Sequence, residues 1–269
     1  MELIATARFK KAMDRATAAT AYTRRITQLV RDLAQAGLEV SHPLLEQRDS
    51  KERARLMVLT ANRGLCGGYN TSVLRAGLAR YQQLRQEYGE VELEVSGKRG
   101  IAGFRFRRIV PTQTYLQFDD RPGYDDIEQI ANRALEDFIA GRLDRLDVAY
   151  TRFDSIARQQ AAVETLLPLG SLSGAGDEEE PSGESMYEFF PSAESILEEV
   201  VPVSFKIKLF KCFLDAAVSE QVARMIAMKS ATENASKIIK QLSMTYNRAR
   251  QSQITGEIME IIGGVEALK

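Results

Sequence analysis

The sequence predicts an α/β protein. A central open sheet domain of doubly wound type is flanked by one long helix at each end of the chain, and the two helices pair with each other. Three observations carry this reading. All seven prolines fall between Pro43 and Pro202, so residues 1–42 and 203–269 can each run as uninterrupted helix. Both proline-free ends repeat apolar residues at steps of three and four. Between them, short apolar runs alternate with longer helical stretches, the pattern of strand and helix in turn.

Along residues 1–42 the recurring positions are Phe9, Ala12, Met13, Ala16, Ala19, Ile26, Val30 and Leu33, with Gly37 as the stop. Leu56–Thr60 reads as the first strand and Thr71–Tyr88 as a helix capped by Asn70. Val91–Ser96 is a second strand. Asp125–Ile139 is a helix opened by a capping-box-like Asp125 and Glu128 and ended by Gly141. Asp147–Phe153 and Ala162–Leu167 supply further strands. The stretch "SLSGAGDEEEPSGES", residues 171–185, is acidic, small and aperiodic, and is expected to be a disordered surface insert.

The last segment suits a helix with Pro202 at its first position. Val218, Val222, Met225, Met228, Ala235, Ile239, Leu242, Tyr246 and Ala249 form a narrow stripe along it. The 67 residues of 203–269, at ~1.5 Å each, would extend on the order of 100 Å. A rod of that length cannot be covered by one compact domain, and the first segment is the partner available to it. Both stripes are rich in alanine, so the two backbones can approach closely while burying little area per turn. The domain boundaries that follow are 1–42, 43–202 and 203–269.

Charge divides the chain in the same way. Residues 1–42 carry seven Lys/Arg against four Asp/Glu, and residues 203–269 carry ten against six, while the net charge is only -1. Both ends are therefore basic and the middle acidic, as expected of ends that share a surface or a partner. Nothing in this balance demands nucleic acid. Cys66 and Cys212 match no metal spacing and no disulfide framework, which favours a reducing compartment. No apolar run reaches membrane-spanning length.

The stretch "LMVLTANRGLCGGYNTSVL", residues 56–74, runs strand, glycine loop, helix, which is the plan of a phosphate-binding loop. Gly64, Gly67 and Gly68 form G-x-x-G-G, not the G-x-G-x-x-G of a dinucleotide site. Ser96, Gly97 and Lys98 stand where a ribose-binding acid belongs, and Arg99 after Gly97-Lys98 breaks the P-loop pattern. The three glycines are expected to be structural, turning the chain. His42 is the only histidine and precedes a proline; Cys66 has no base nearby in sequence and reads as a packing residue. The pairs Asp119-Asp120 and Asp125-Asp126 suit solvated or capping roles. No catalytic residue, cofactor or metal site is expected.

The two ends then carry a resemblance. "SEQVARMIAMKSATENASKIIKQLSMTYNRARQSQITGEIMEIIGGVEAL", Ser219 to Leu268, closely resembles the C-terminal helix of the gamma subunit of F-type ATP synthases. "TANRGLCGGYN" looks like that family's signature loop and "MELIATARFKKA" like the middle of its N-terminal helix. The resemblance covers nearly the whole chain. It implies an antiparallel coiled coil of the two terminal helices with a Rossmann-like domain at its foot. It also implies a rotor shaft with no activity of its own, turning inside alpha and beta subunits. The shaft would join them, with an epsilon subunit, to a proton-driven c-ring, on the cytoplasmic face of a bacterial inner membrane. Carried over by position, contacts with a beta-subunit loop fall on Arg224, Arg250, Gln251, Thr255 and Glu257. Two departures stand out. The chain begins partway along the family's N-terminal helix, and the acidic insert is unusual and lacks cysteines. A stand-alone coiled-coil adaptor with a degenerate Rossmann domain is the alternative reading.

Overall fold

Strand β1 (Arg53–Leu59) sits at the centre of the sheet because both its faces are apolar. Ala54, Leu56 and Val58 point to one side, Met57 and Leu59 to the other, and all five are buried. A computed structural model describes residues 6–7, 9–14, 17, 43–45, 51–118, 122–169 and 193–268. Within it, α1 is the helix seen at residues 6–7, 9–14 and 17. The elements that follow are β1, α2 (Tyr69–Glu87), β2 (Glu90–Ser96), α3 (Lys98–Phe106), β3 (Gln113–Tyr115), α4 (Tyr124–Ile139), β4 (Arg145–Phe153), β5 (Gln159–Leu167) and α5 (Ala193–Ala267).

The five-stranded sheet has the order β3-β2-β1-β4-β5. Strands β1 to β4 are parallel, with Leu56 opposite Leu93 on β2 and Asp147 on β4, and β5 returns antiparallel beside β4. This is the open, doubly wound sheet expected from sequence, closed on one side by a hairpin. Helices α2 and α3 cover one face through Val73, Leu84, Ile101 and Phe104. Helix α4 and the first part of α5 cover the other through Ile127, Ile130, Phe138, Phe205, Leu209 and Phe213.

The buried charges of the sheet meet opposite charges. Asp147, fully buried, accepts from Arg80 Nε at 2.6 Å and Arg145 Nε at 2.9 Å. Arg55 reaches Glu92 and Asp137, both at 2.7 Å, and Arg133 reaches Glu94 at 2.8 Å. A buried carboxylate is tolerated only with such partners.

Several expectations are corrected by these contacts. Asn70 lies inside α2 rather than capping it: its Oδ1 accepts from Ala61 N at 2.9 Å, and Gly68 holds the cap position. Asp125 and Glu128 do not form a capping box, since Gly123 precedes α4 and Glu128 instead pairs with Lys206 of α5 at 2.8 Å. Pro202 is not a first residue. Helix α5 begins at Ala193 and carries Pro202 inside it, where the buried Val201 and Phe205 hold the turn on either side. Helix α3 and strand β3 were not foreseen. Gly141 does end α4, at φ 73°.

By contacts the chain falls into two units, Met1–Met225 and Ile226–Lys269. In the first, Ala12 of α1 packs against Leu214, Val218 and Val222 of α5, with Phe9 and Met13 alongside. Pairing of the terminal helices is thus visible at the first two positions of the expected α5 stripe. In the second unit, Ile239, Leu242 and Tyr246 of that stripe are exposed. The insert 171–185, Gly37, His42 and Asp119-Asp120 lie outside the described residues.

Candidate functional site

In an open parallel sheet the ligand crevice lies at the carboxyl ends of the strands where the winding reverses, here between β1 and β4. The segment leaving β1 there is the glycine loop. Its chain reversal uses Gly67 at φ 54°, a left-handed conformation that costs glycine little. Leu65, at φ 63°, takes a similar conformation without that freedom. Gly68 is at φ −82° in the ordinary helical region, and Gly64 faces the Arg99 side chain. Of the three, only Gly67 is required by backbone conformation.

The loop is anchored from both sides. Asn70 accepts from Ala61 N and donates through Nδ2 to Cys66 Sγ at 3.1 Å, which ties the loop's start to its end. Tyr69 is buried and its hydroxyl donates to the Ala216 carbonyl of α5 at 3.1 Å. Ala61, Cys66 and Tyr69 form a small apolar cluster against Ala223. Burial, reinforced by the nearby Glu220 carboxylate, pushes the Cys66 thiol up, so at neutral pH it stays protonated. A buried, protonated thiol is a packing group, as its sequence context indicated.

The start of α3, the other place a phosphate could be held, has its amides committed to the protein. Gly97 N donates to Tyr115 O at 3.0 Å, Lys98 N to Asn62 Oδ1 at 3.1 Å, and Arg99 N to Ala61 O at 3.1 Å. Gly100 N donates to Thr60 Oγ1 at 2.8 Å, and Ile101 N begins the helical ladder on Gly97 O. The amides at the start of α3 are therefore satisfied within the protein, those of Lys98, Arg99 and Gly100 by the β1 loop. Gly97, at φ 95°, lets the two loops meet: a β-carbon there would stand 2.1 Å from the Thr60 carbonyl oxygen.

The five residues carried over as partner contacts are divided by the structure. Arg224 lies in the first unit, half-buried, and donates to Glu220 one turn earlier. Arg250, Gln251, Thr255 and Glu257 lie in the second unit, all exposed on α5. Gln251 and Thr255 are one turn apart, and Arg250 and Glu257 two turns apart, so each pair shares a side of the helix. Glu257 accepts from Gln253 Nε2 at 3.0 Å. The Glu220–Arg224 pair beside the glycine loop was missed in part by sequence reasoning. The i,i+4 spacing of opposite charges was the available signal.

Comparison with known proteins identifies the lineage. A family model described as ATP synthase matches residues 1–268. The chain is 65% identical to the ATP synthase gamma chain of Rhodopirellula baltica, over 100% of this chain and 92% of that one. It is 38% identical to the gamma chain of Kineococcus radiotolerans, over 100% and 90%. Among solved structures it is similar in fold to a chain of the Tetrahymena thermophila mitochondrial ATP synthase central stalk and c-ring. That match has a TM-score of 0.58 and 16% identity, over 86% of this chain and 97% of that one. A chain of the Euglena gracilis mitochondrial ATP synthase gives a TM-score of 0.56 at 19% identity, over 97% and 94%. By the family model across its length and by these identities, the chain belongs to the gamma-chain family of ATP synthases.

Proposed function

We propose that the chain is the central rotor shaft of an ATP synthase, a non-catalytic subunit that links rotation of a membrane c-ring to the catalytic alpha and beta subunits. The observation that carries this is the full-length identity of 65% with a named gamma chain. On this reading α1 and the rest of residues 1–42 pair with α5 as an antiparallel coiled coil, an arrangement supported by the Ala12–Val218 packing. The sheet domain is the foot. The complex is peripheral to the cytoplasmic face of a bacterial membrane and includes an epsilon subunit.

Arg250, Gln251, Thr255 and Glu257 grip a beta-subunit loop, and Arg224 contributes from the first unit through its pair with Glu220. An arginine meeting an acidic loop in a desolvated space contributes ~1.5–3 kcal/mol, more than an exposed pair. The test is Arg250→Ala with Gln251→Ala in the reconstituted complex. The isolated chain should melt as the parent does, while assembly or ATP hydrolysis falls. Unchanged assembly, hydrolysis and rotation would reject the grip.

A further inference from the structure

Helix α3 ends in a turn that the sequence makes costly to form. Ile109 N donates to Phe104 O at 3.0 Å and Arg108 N to Arg105 O at 2.9 Å, the paired bonds of a Schellman stop. That stop needs a left-handed residue, normally glycine, and here it is Arg108 at φ 62°. The motif also sorts the side chains. Phe104 is buried and Ile109 packs against its cluster, while Phe106 is 88% exposed and Val110 78% exposed.

The charges at this turn are of one sign. Between Gly97 and Phe118 the sequence holds Lys98, Arg99, Arg105, Arg107 and Arg108 and no acidic residue. Arg105, Arg107 and Arg108 are exposed, and no carboxylate among the described residues pairs with them. This contrasts with Arg55, Arg80, Arg133 and Arg145, each of which meets an acid. Arg107 donates to Gly103 O at 2.9 Å, which keeps its charge at the helix end.

We infer that the α3 turn, with Arg105, Arg107 and Arg108 around the exposed Phe106 and Val110, is a contact surface for anionic phospholipid headgroups. Three uncompensated guanidiniums attract phosphate esters, and an exposed phenyl and isopropyl group beside them suit the boundary between headgroups and acyl chains. A nucleic-acid backbone would satisfy the arginines but leave Phe106 and Val110 in water. No described helix is long and apolar enough to cross a membrane, so any lipid contact of the described residues is peripheral. The inference goes beyond the shaft reading and does not depend on it.

Flotation of the full chain with vesicles of phosphatidylcholine, with or without phosphatidylglycerol, tests this. The parent should partition into the anionic vesicles, less so as salt rises. The variant R105Q/R107Q/R108G should lose on the order of a hundredfold in partition, the equivalent of about 1 kcal/mol for each arginine. F106S should also bind less, with an unchanged melting temperature. R108G alone supplies the sharpest contrast. It should melt about 2–4 °C higher because glycine suits the turn, yet bind about fivefold less. Equal partition into both vesicle types, or full binding by the triple variant, would overturn the inference. So would a lower melting temperature for R108G, which would mark a purely structural arginine. Loss of assembly with partner subunits while vesicle binding persists would identify a protein contact and overturn it as well.

Discussion

The Tyr69 hydroxyl donates to the Ala216 carbonyl at 3.1 Å, joining residues 147 positions apart in the chain and fixing the glycine loop to α5. Burial keeps this hydroxyl protonated far beyond the ordinary tyrosine range, so it remains a donor at any working pH. Tyr69→Phe should keep the ring's packing and cost about 1 kcal/mol, the net worth of one neutral hydrogen bond. Denaturant titration of the full chain would measure it. No change in midpoint would mean that the cluster with Ala223 holds the loop without the bond.

The glycines of the loop should respond unequally. Gly67→Val places a β-branched residue at φ 54° and should cost roughly 1–3 kcal/mol, although no atom obstructs the new side chain. Gly68→Ala sits at φ −82° with open space and should change stability by less than about 0.5 kcal/mol. Equal losses at both positions, read by thermal melting, would show that conformation is not the cause.

Asp147 gives the largest expected effect. Arg80→Ala removes one of its two guanidinium partners and leaves a fully buried carboxylate held by Arg145 alone, at a cost of about 3 kcal/mol. Asp147→Asn should be milder, because it also removes the charge that needs pairing. A reversed order in urea melts would contradict this account.

Asp215 makes stability depend on pH. Burial raises its carboxyl to about 6; Lys211 opposes the shift, while Glu164 and Asp154 reinforce it and Arg152 opposes it. Its folded value lies above the unfolded one, so the protonated form is favoured by folding. The relative stability this confers is complete below the ordinary carboxylate range and is lost as pH rises through about 6. Between pH 4 and 7 the parent should therefore lose on the order of 2–3 kcal/mol relative to Asp215→Asn. Parallel curves of stability against pH for the two proteins would refute the shift.

The fold was legible where one periodicity dominated. β1 ends in a short apolar run, β2 alternates Val91, Leu93 and Val95 with glutamates, and α4 has a clear inner face of Ile127, Ile130, Ala131, Ala134 and Phe138. α3 was hidden because Gly100 and Gly103 lower its helical propensity; the packing demands a small residue at 100, while at 103 the Leu74 side chain would have to shift. A β-carbon at 100 would meet Thr60 Oγ1 at 2.4 Å, and one at 103 would meet Leu74 Cδ1 at 2.7 Å. The misplaced caps have a different origin. Asn70 and Glu128 are good local capping residues recruited by partners outside their own helices, Ala61 in the preceding loop and Lys206 on α5, and cap spacing carries no record of that competition. At the candidate site, motif spacing fails the nucleotide fingerprints, but only the hydrogen bonds show that the α3 start spends its amides within the protein.

Those bonds interlock three parts of the fold. A crevice blocked by one bulky side chain could be reopened by one substitution. The start of α3 is instead occupied by three separate acceptors from the β1 loop, Thr60, Ala61 and Asn62, and that loop is itself fastened to α5 through Tyr69. Restoring a phosphate pocket would require the loop, the α3 start and the α5 contact to change together. With its amides committed in this way, the α3 start is expected to hold no ATP phosphate. The melting temperature of the chain should be the same in millimolar ATP as in buffer.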